Sequence, residues 1–176
     1  VGEIRDTETA ELAVNAALTG HLVFSTLHTN DASGAAPRMM DMGVEPFLLT
    51  SALTCVVAQR VLRKVCPHCF QEIEIPREIE PEVKATLGPI YGMIEERWKK
   101  EGKKITVPKI VGCDKCNNTG YLGRIAIYEV MPISEKISKL IVEKASASDI
   151  QKQAISEGML TMKQDGYVKV LEGITT

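Results

Sequence analysis

Two Cys-x-x-Cys pairs, Cys66-Pro67-His68-Cys69 and Cys113-Asp114-Lys115-Cys116, bracket residues 70–112 and constrain the fold more than any other feature of the chain. Two such knuckles supply four thiolates for one tetrahedral ion, and a closed set of soft sulfur ligands suits Zn²⁺. Gly112 before the second knuckle and Asn117-Asn118 after it supply the turn residues a knuckle demands, and Pro67 stiffens the first. Ligation of this kind contributes on the order of 10 kcal/mol where the ligands are otherwise disordered. Closing a loop of this length opposes it by only roughly a few kcal/mol of chain entropy. Four thiolates leave no open position for water or substrate, so the ion is expected to be structural. The competing readings are His68 in place of one thiolate, an iron–sulfur cluster, and two metal-free redox pairs. Cysteines used this way suit a reducing compartment better than disulfides. The fifth, Cys55, lies in the apolar run of residues 53–57 and reads as a small buried thiol.

At 176 residues the chain has room for one ordinary core or two small ones. A formal net charge of -2, with only four Tyr, three Phe and one Trp, argues against nucleic acid as a partner; that leaves a nucleic-acid zinc ribbon poorly supported. No run of 18 apolar residues is present, so no transmembrane segment is expected. No signal peptide is visible.

Along the chain, Asp6 or Thr7 caps a helix over residues 7–19 that Gly20 ends, with the apolar Ala10, Ala13, Ala17 and Leu18 on one side. Residues 21–27 form an apolar run of strand length, and a run apolar on both faces predicts a buried parallel strand. A helix follows over residues 31–42, with Pro37 expected to kink it or displace its start. A short helix begins at Pro46, and residues 56–65 read as a strand leading into the first knuckle. The stretch 70–112 is charged and proline-punctuated, with helix expected around residues 83–100 and a solvated basic turn at residues 99–104. Residues 121–130 alternate as a strand. Three helices close the chain near residues 135–144, 149–157 and 162–171, the second capped by Ser148 with Gln151.

The opening Val1-Gly2-Glu3-Ile4-Arg5-Asp6 runs from strand-like residues into an acidic turn. Glu3 there is placed to join the water shell of Mg²⁺ beside a nucleotide's phosphates, although an acid at such a position also serves as a helix-dipole or surface residue. No G-x-x-x-x-G-K-S/T loop, which would cradle those phosphates, occurs in the 176 residues. With no initiator Met either, the chain is expected to be the C-terminal part of a longer nucleotide hydrolase. His21 and His28 flank opposite ends of residues 21–27 and so are not expected to share an ion. The C-terminal strand edge, where α/β sheets bind ligands, favours His28 as a group that hydrogen-bonds a terminal phosphate.

Taken together these segments resemble the secretion ATPase superfamily, in particular the type II secretion and type IV pilus assembly ATPases. Gly2–Asp6 with Glu8-Thr9-Ala10 resembles that family's Walker B segment, and residues 19–32 resemble its histidine box. The paired knuckles resemble the tetracysteine zinc insertion of the assembly branch. Asn118–Tyr121, Gly123-Arg124 and Ile127-Tyr128-Glu129 resemble the strand that follows it, and Gln164-Asp165-Gly166 with Glu172–Thr176 resembles the closing helices.

The resemblance implies an α/β fold: the C-terminal part of a RecA-like nucleotide-binding domain, with a tetracysteine zinc-binding insertion and a closing helical bundle. Residues 1–65 would be the C-terminal half of the ATPase core, 66–120 the insertion, and 121–176 the returning strand and helices. It gives Glu3 the Mg-ATP side of the site, His28 and His21 the coupling of nucleotide state to subunit movement, and Cys66, Cys69, Cys113 and Cys116 the zinc. It implies a homo-hexameric cytoplasmic motor, peripheral to the inner membrane, that works on a platform protein of the secretion or pilus assembly apparatus. This chain is expected to be inactive alone. The alternative is a zinc-stabilised interaction module that docks the inner-membrane platform protein.

Overall fold

Asp6 ends the opening extended segment and starts helix α1 (Thr7–Leu18), its carboxylate accepting the Thr9 N–H at 2.8 Å. The computed structural model describes all 176 residues, an α/β chain divided into two units. One comprises Val1–Gln59 with Tyr128–Leu160, the other Arg60–Ile127 with Thr161–Thr176.

In the first unit α1 buries Ala10, Ala13 and Val14. Ala17 lies on the same stripe and is half-buried, whereas Leu18, at its margin, is exposed. Residues 21–27 are extended but do not form a regular strand. They lie beside the opening residues through Ile4 N–H to Thr26 O at 3.0 Å and Thr26 Oγ1 to Gly2 O at 2.9 Å. Val23 and Leu27 pack on the core while Leu22 and Phe24 are 81% and 77% exposed, so the run is covered on one face only, not two.

Helix α2 (Ala35–Asp41) starts four residues later than expected. Pro37 falls in its first turn, where the missing N–H has no intrahelical partner to lose. The residues ahead of it form a side-chain turn instead: Asp31 Oδ1 accepts from Ser33 Oγ and Gly34 N–H, both at 2.8 Å. Helix α3 (Pro46–Ala52) carries proline at its first position. Strand β1 (Cys55–Val65) follows. Its alternation turns Val56 and Ala58 inward and Cys55 outward, so Cys55 is exposed rather than buried.

Within the second unit, β2 (Gln71–Glu74) pairs antiparallel with β3 (Thr106–Lys109), Gln71 opposite Lys109 and Glu74 opposite Thr106. Between them lie α4 (Glu80–Leu87) and α5 (Pro89–Lys100), two helices where one was expected, parted at Gly88 with φ of 53°. A long strand, β4 (Tyr121–Pro132), pairs with β1.

Helices α6 (Glu135–Val142) and α7 (Ala147–Ser156) belong to the first unit. Ser134 and Ser146 cap them; Ser146, not Ser148, accepts the Asp149 N–H, because α7 begins two residues earlier than expected. Ile137, Ile141 and Ile150 join Ile4, Met39, Leu49 and Met131 in the apolar core. The last helix, α8 (Met162–Leu171), opens with a Thr161–Gln164 capping box. It packs on α4 and β3, with Leu171 buried among Val83, Leu87, Tyr91 and Val107. No helix is long and apolar enough to cross a membrane.

Candidate functional site

Residues 1–4 and 24–26 run side by side in the same direction, so the residues that follow each emerge at a common edge. Glu3 and His28 meet there: the Glu3 carboxylate pairs with His28 Nε2 on one side and with Arg5 Nη2 at 2.7 Å on the other. The Arg5 hydrogen bond holds the Glu3 carboxyl below the usual carboxylate range; partial burial works against this, and His28 adds to it. At neutral pH the group is an anionic oxygen donor, the ligand type that hydrated Mg²⁺ prefers.

A folded-state pKa below the unfolded value means that the stabilisation is present above the ordinary carboxylate range and is lost as pH falls through the lowered value. Carbon-detected NMR titration should therefore place the Glu3 midpoint below that of an unstructured glutamate, and Arg5→Ala should move it upward. A midpoint unchanged by that substitution would rule out the ion pair as its cause.

His21 lies elsewhere. Its Nδ1 is 3.0 Å from Thr19 Oγ1 and 3.2 Å from Ala16 O, over the C-terminal end of α1. The structure thus brings Glu3 together with His28 and leaves His21 at the other end of the extended segment. A further residue enters from far along the chain: Glu129 on β4 accepts the Ala32 N–H at 3.0 Å, in the loop that carries His28. The one sequence signal for it was a carboxylate at an inward position of an alternating strand.

The four cysteines of the two knuckles converge. Their sulfurs all lie within 4.8 Å of one another, with Cys66–Cys113 at 4.0 Å and both Cys69–Cys116 and Cys113–Cys116 at 3.8 Å. Tetrahedral ligation at metal–sulfur distances of about 2.3 Å requires sulfur–sulfur edges of about 3.8 Å, so this donor set fits one tetrahedral ion. His68 is exposed and stands outside the cluster.

Burial pushes the Cys69 thiol up to about 12. Burial opposes ionisation of Cys116 too, but N–H groups of Cys113 and Gly120, each 3.2 Å from its sulfur, draw it down to about 6. The protein's own dipoles therefore favour a thiolate at Cys116.

The second knuckle turns through Asn117 and Asn118, both at positive φ, and Gly112 at φ of 110°. A Cβ on Gly112 would stand 2.9 Å from the Asn118 carbonyl oxygen, a backbone atom that cannot move aside without displacing the turn. Gly112→Ala should destabilise the knuckle by about 2 kcal/mol or more. A competition titration with a chromogenic chelator would read this as metal affinity at least tenfold weaker; unchanged affinity would contradict it.

The family model of the "Type II/IV secretion system protein" matches residues 1–176. The type IV pilus assembly ATPase PilB of Myxococcus xanthus is 45% identical over 176 residues, covering all of this chain and 29% of that protein. Type II secretion system protein E of Aeromonas hydrophila is 44% identical over 176 residues, again all of this chain and 32% of that protein. The chain thus spans less than a third of the length of either relative. Among solved structures, the pilus retraction motor PilT with bound ADP aligns with the whole chain and 36% of its own, at a TM-score of 0.59 and 26% identity. The Legionella pneumophila ATPase DotB, 17% identical at a TM-score of 0.58 over 35% of its chain, shares the fold.

Proposed function

Because the chain belongs to the type II/IV secretion system protein family, we propose that residues 1–176 are the C-terminal part of a motor ATPase powering assembly of a type IV pilus or a type II secretion pseudopilus. The observation that carries this reading is the meeting of Glu3 and His28 at one edge of two parallel extended segments. In a nucleotide-bound motor, Mg²⁺ would neutralise charge on the transferring phosphates. Glu3 would hold water of its shell, and His28 would hydrogen-bond the terminal phosphate and report its loss. Arg5 keeps the Glu3 carboxylate ionised and oriented. His21, against the end of α1, would pass the change in nucleotide state to that helix. Cys66, Cys69, Cys113 and Cys116 would hold a structural Zn²⁺.

On this reading residues 1–65 complete the RecA-like core, residues 66–120 are the zinc insertion, and residues 121–176 return a strand and the closing helices. The whole protein would act as a homo-hexamer in the cytoplasm, at the inner membrane, with ATP bound between subunits driving a platform protein. Residues 1–176 contain no phosphate-cradling G-x-x-x-x-G-K-S/T loop. Purified alone they should show negligible ATP turnover and weak ATP affinity, against clear turnover by the intact protein. Robust turnover by residues 1–176, abolished by Glu3→Gln, would overturn this division of labour.

A second reading, a zinc-stabilised module that docks the platform protein, is favoured by one feature of the second unit. Val83 and Leu87 of α4, Tyr91 of α5, Val107 of β3 and Leu171 of α8 form a separate apolar cluster, while α5 leaves Met93 exposed. Pull-down with the platform protein's cytoplasmic domain, with and without residues 70–112, separates the readings; the two can both hold.

A further inference from the structure

Strand β4 alternates buried and exposed residues over its second half, and Glu129 occupies an inward position two residues before Met131. Its side chain is 3% exposed and Met131 is fully buried. An apolar residue would be the inexpensive choice there, because a buried carboxylate is costly unless its oxygens are hydrogen-bonded. The carboxylate reaches the Ala32 N–H at 3.0 Å, a bond to a residue 97 positions earlier.

That amide lies in the loop that carries His28, at a point where Ala32 enters the apolar core. His28 is paired with Glu3, yet its side chain is 82% exposed, so the placement of its ring depends on the backbone of residues 28–34 rather than on packing. Within the loop the bonds are local: Thr29 Oγ1 to Asp31 O at 3.0 Å, and Asp31 Oδ1 to Ser33 Oγ and Gly34 N–H. These bonds shape the turn, and Ala32 packs into the core of the unit. Ala32 and Ser33 are buried, and the Glu129 bond anchors this buried end to β4.

We infer that Glu129 is a positioning residue for the reaction: it holds the 28–34 loop at Ala32 so that His28 stays at the Glu3 edge. The inference rests on the nucleotide reading of His28 given above. Glu129 acts through His28 and touches no nucleotide. Removing it should leave binding intact and slow the step in which His28 must be in register, since small displacements at a reacting centre carry large rate penalties.

The test is a mutant cycle in the intact protein, with kcat and KM for ATP measured for His28→Ala, Glu129→Ala and the double variant. Glu129→Asp serves in parallel: it keeps the charge, withdraws the oxygen from Ala32, and is the substitution to use should Glu129→Ala fail to fold. Each Glu129 variant should lower kcat about tenfold or more, with KM for ATP within about twofold of wild type. Added to His28→Ala, either should lower kcat less than about twofold further, because the group it positions is gone. Multiplicative losses, a KM effect that dominates, or full activity of Glu129→Asp would each overturn the inference while leaving the His28 reading in place. Unchanged turnover in His28→Ala alone would sink the nucleotide reading itself, and the inference with it.

Discussion

Stripping the ion from the intact protein with a chelator is expected to release residues 66–116 while the first unit stays folded. Ligation by four thiolates contributes on the order of 10 kcal/mol, comparable with the whole stability of an ordinary domain. Around the knuckles the second unit has little to replace it. Its buried apolar cluster is Val83, Leu87, Tyr91, Val107 and Leu171, and none of these lies in either knuckle. Around the sulfurs, the Cys66 N–H to Gly120 O bond at 2.9 Å joins the two knuckles, and the second passes through left-handed Asn117 and Asn118. Without a cation, four sulfurs, two of them buried, remain in contact, and the hydrogen bonds to Cys116 favour a charge that nothing neutralises. Amide exchange should accelerate by several powers of ten at residues 66–70 and 110–120, at about tenfold per 1.4 kcal/mol. Amides of Leu49, Ile141 and Ile150, in the separate core of the first unit, should keep their protection. Retained protection throughout residues 66–116 after elemental analysis has verified metal loss would defeat the claim.

Glu3→Gln in the intact protein should lower kcat for ATP hydrolysis by about 10²–10³-fold with little change in KM. The substitution preserves size and one acceptor oxygen and removes the charge. That charge is what Arg5 and His28 both address, and what would orient the water shell of Mg²⁺. The carboxylate is partly exposed, so the change should scarcely alter folding, and metal content and melting temperature serve as controls. A loss smaller than about tenfold, or one expressed in nucleotide affinity, would remove Glu3 from the reaction.

Much of the candidate site was legible in the sequence because its parts are short and local. The Cys-x-x-Cys spacing places two sulfurs on one turn whatever surrounds it, and Asp6, one of the two caps the sequence offered, starts α1. Where a reading depended on which face would be covered, it failed. Cys55 and residues 21–27 are apolar, but their exposure follows from strand phase and from neighbouring segments, and composition records neither. The single helix expected around residues 83–100 is two, because Gly88 takes a left-handed φ that the apolar pattern does not register. The β2–β3 pairing was missed since each strand is four residues long, too short for alternation to stand out.

The sequence by itself determined which residues can ligate a metal, where most helices start and stop, and which acid and histidines are candidates for a phosphate edge. Those properties depend on neighbours within about one turn of chain. Tertiary structure brings Glu3 against His28 and not His21, gathers the sulfurs of both knuckles as their spacing leads one to expect, and alone decided that Glu129 ties down Ala32. Each of these joins residues tens of positions apart, and such contacts form only when a common core has already made good the entropy of closing the loop between them.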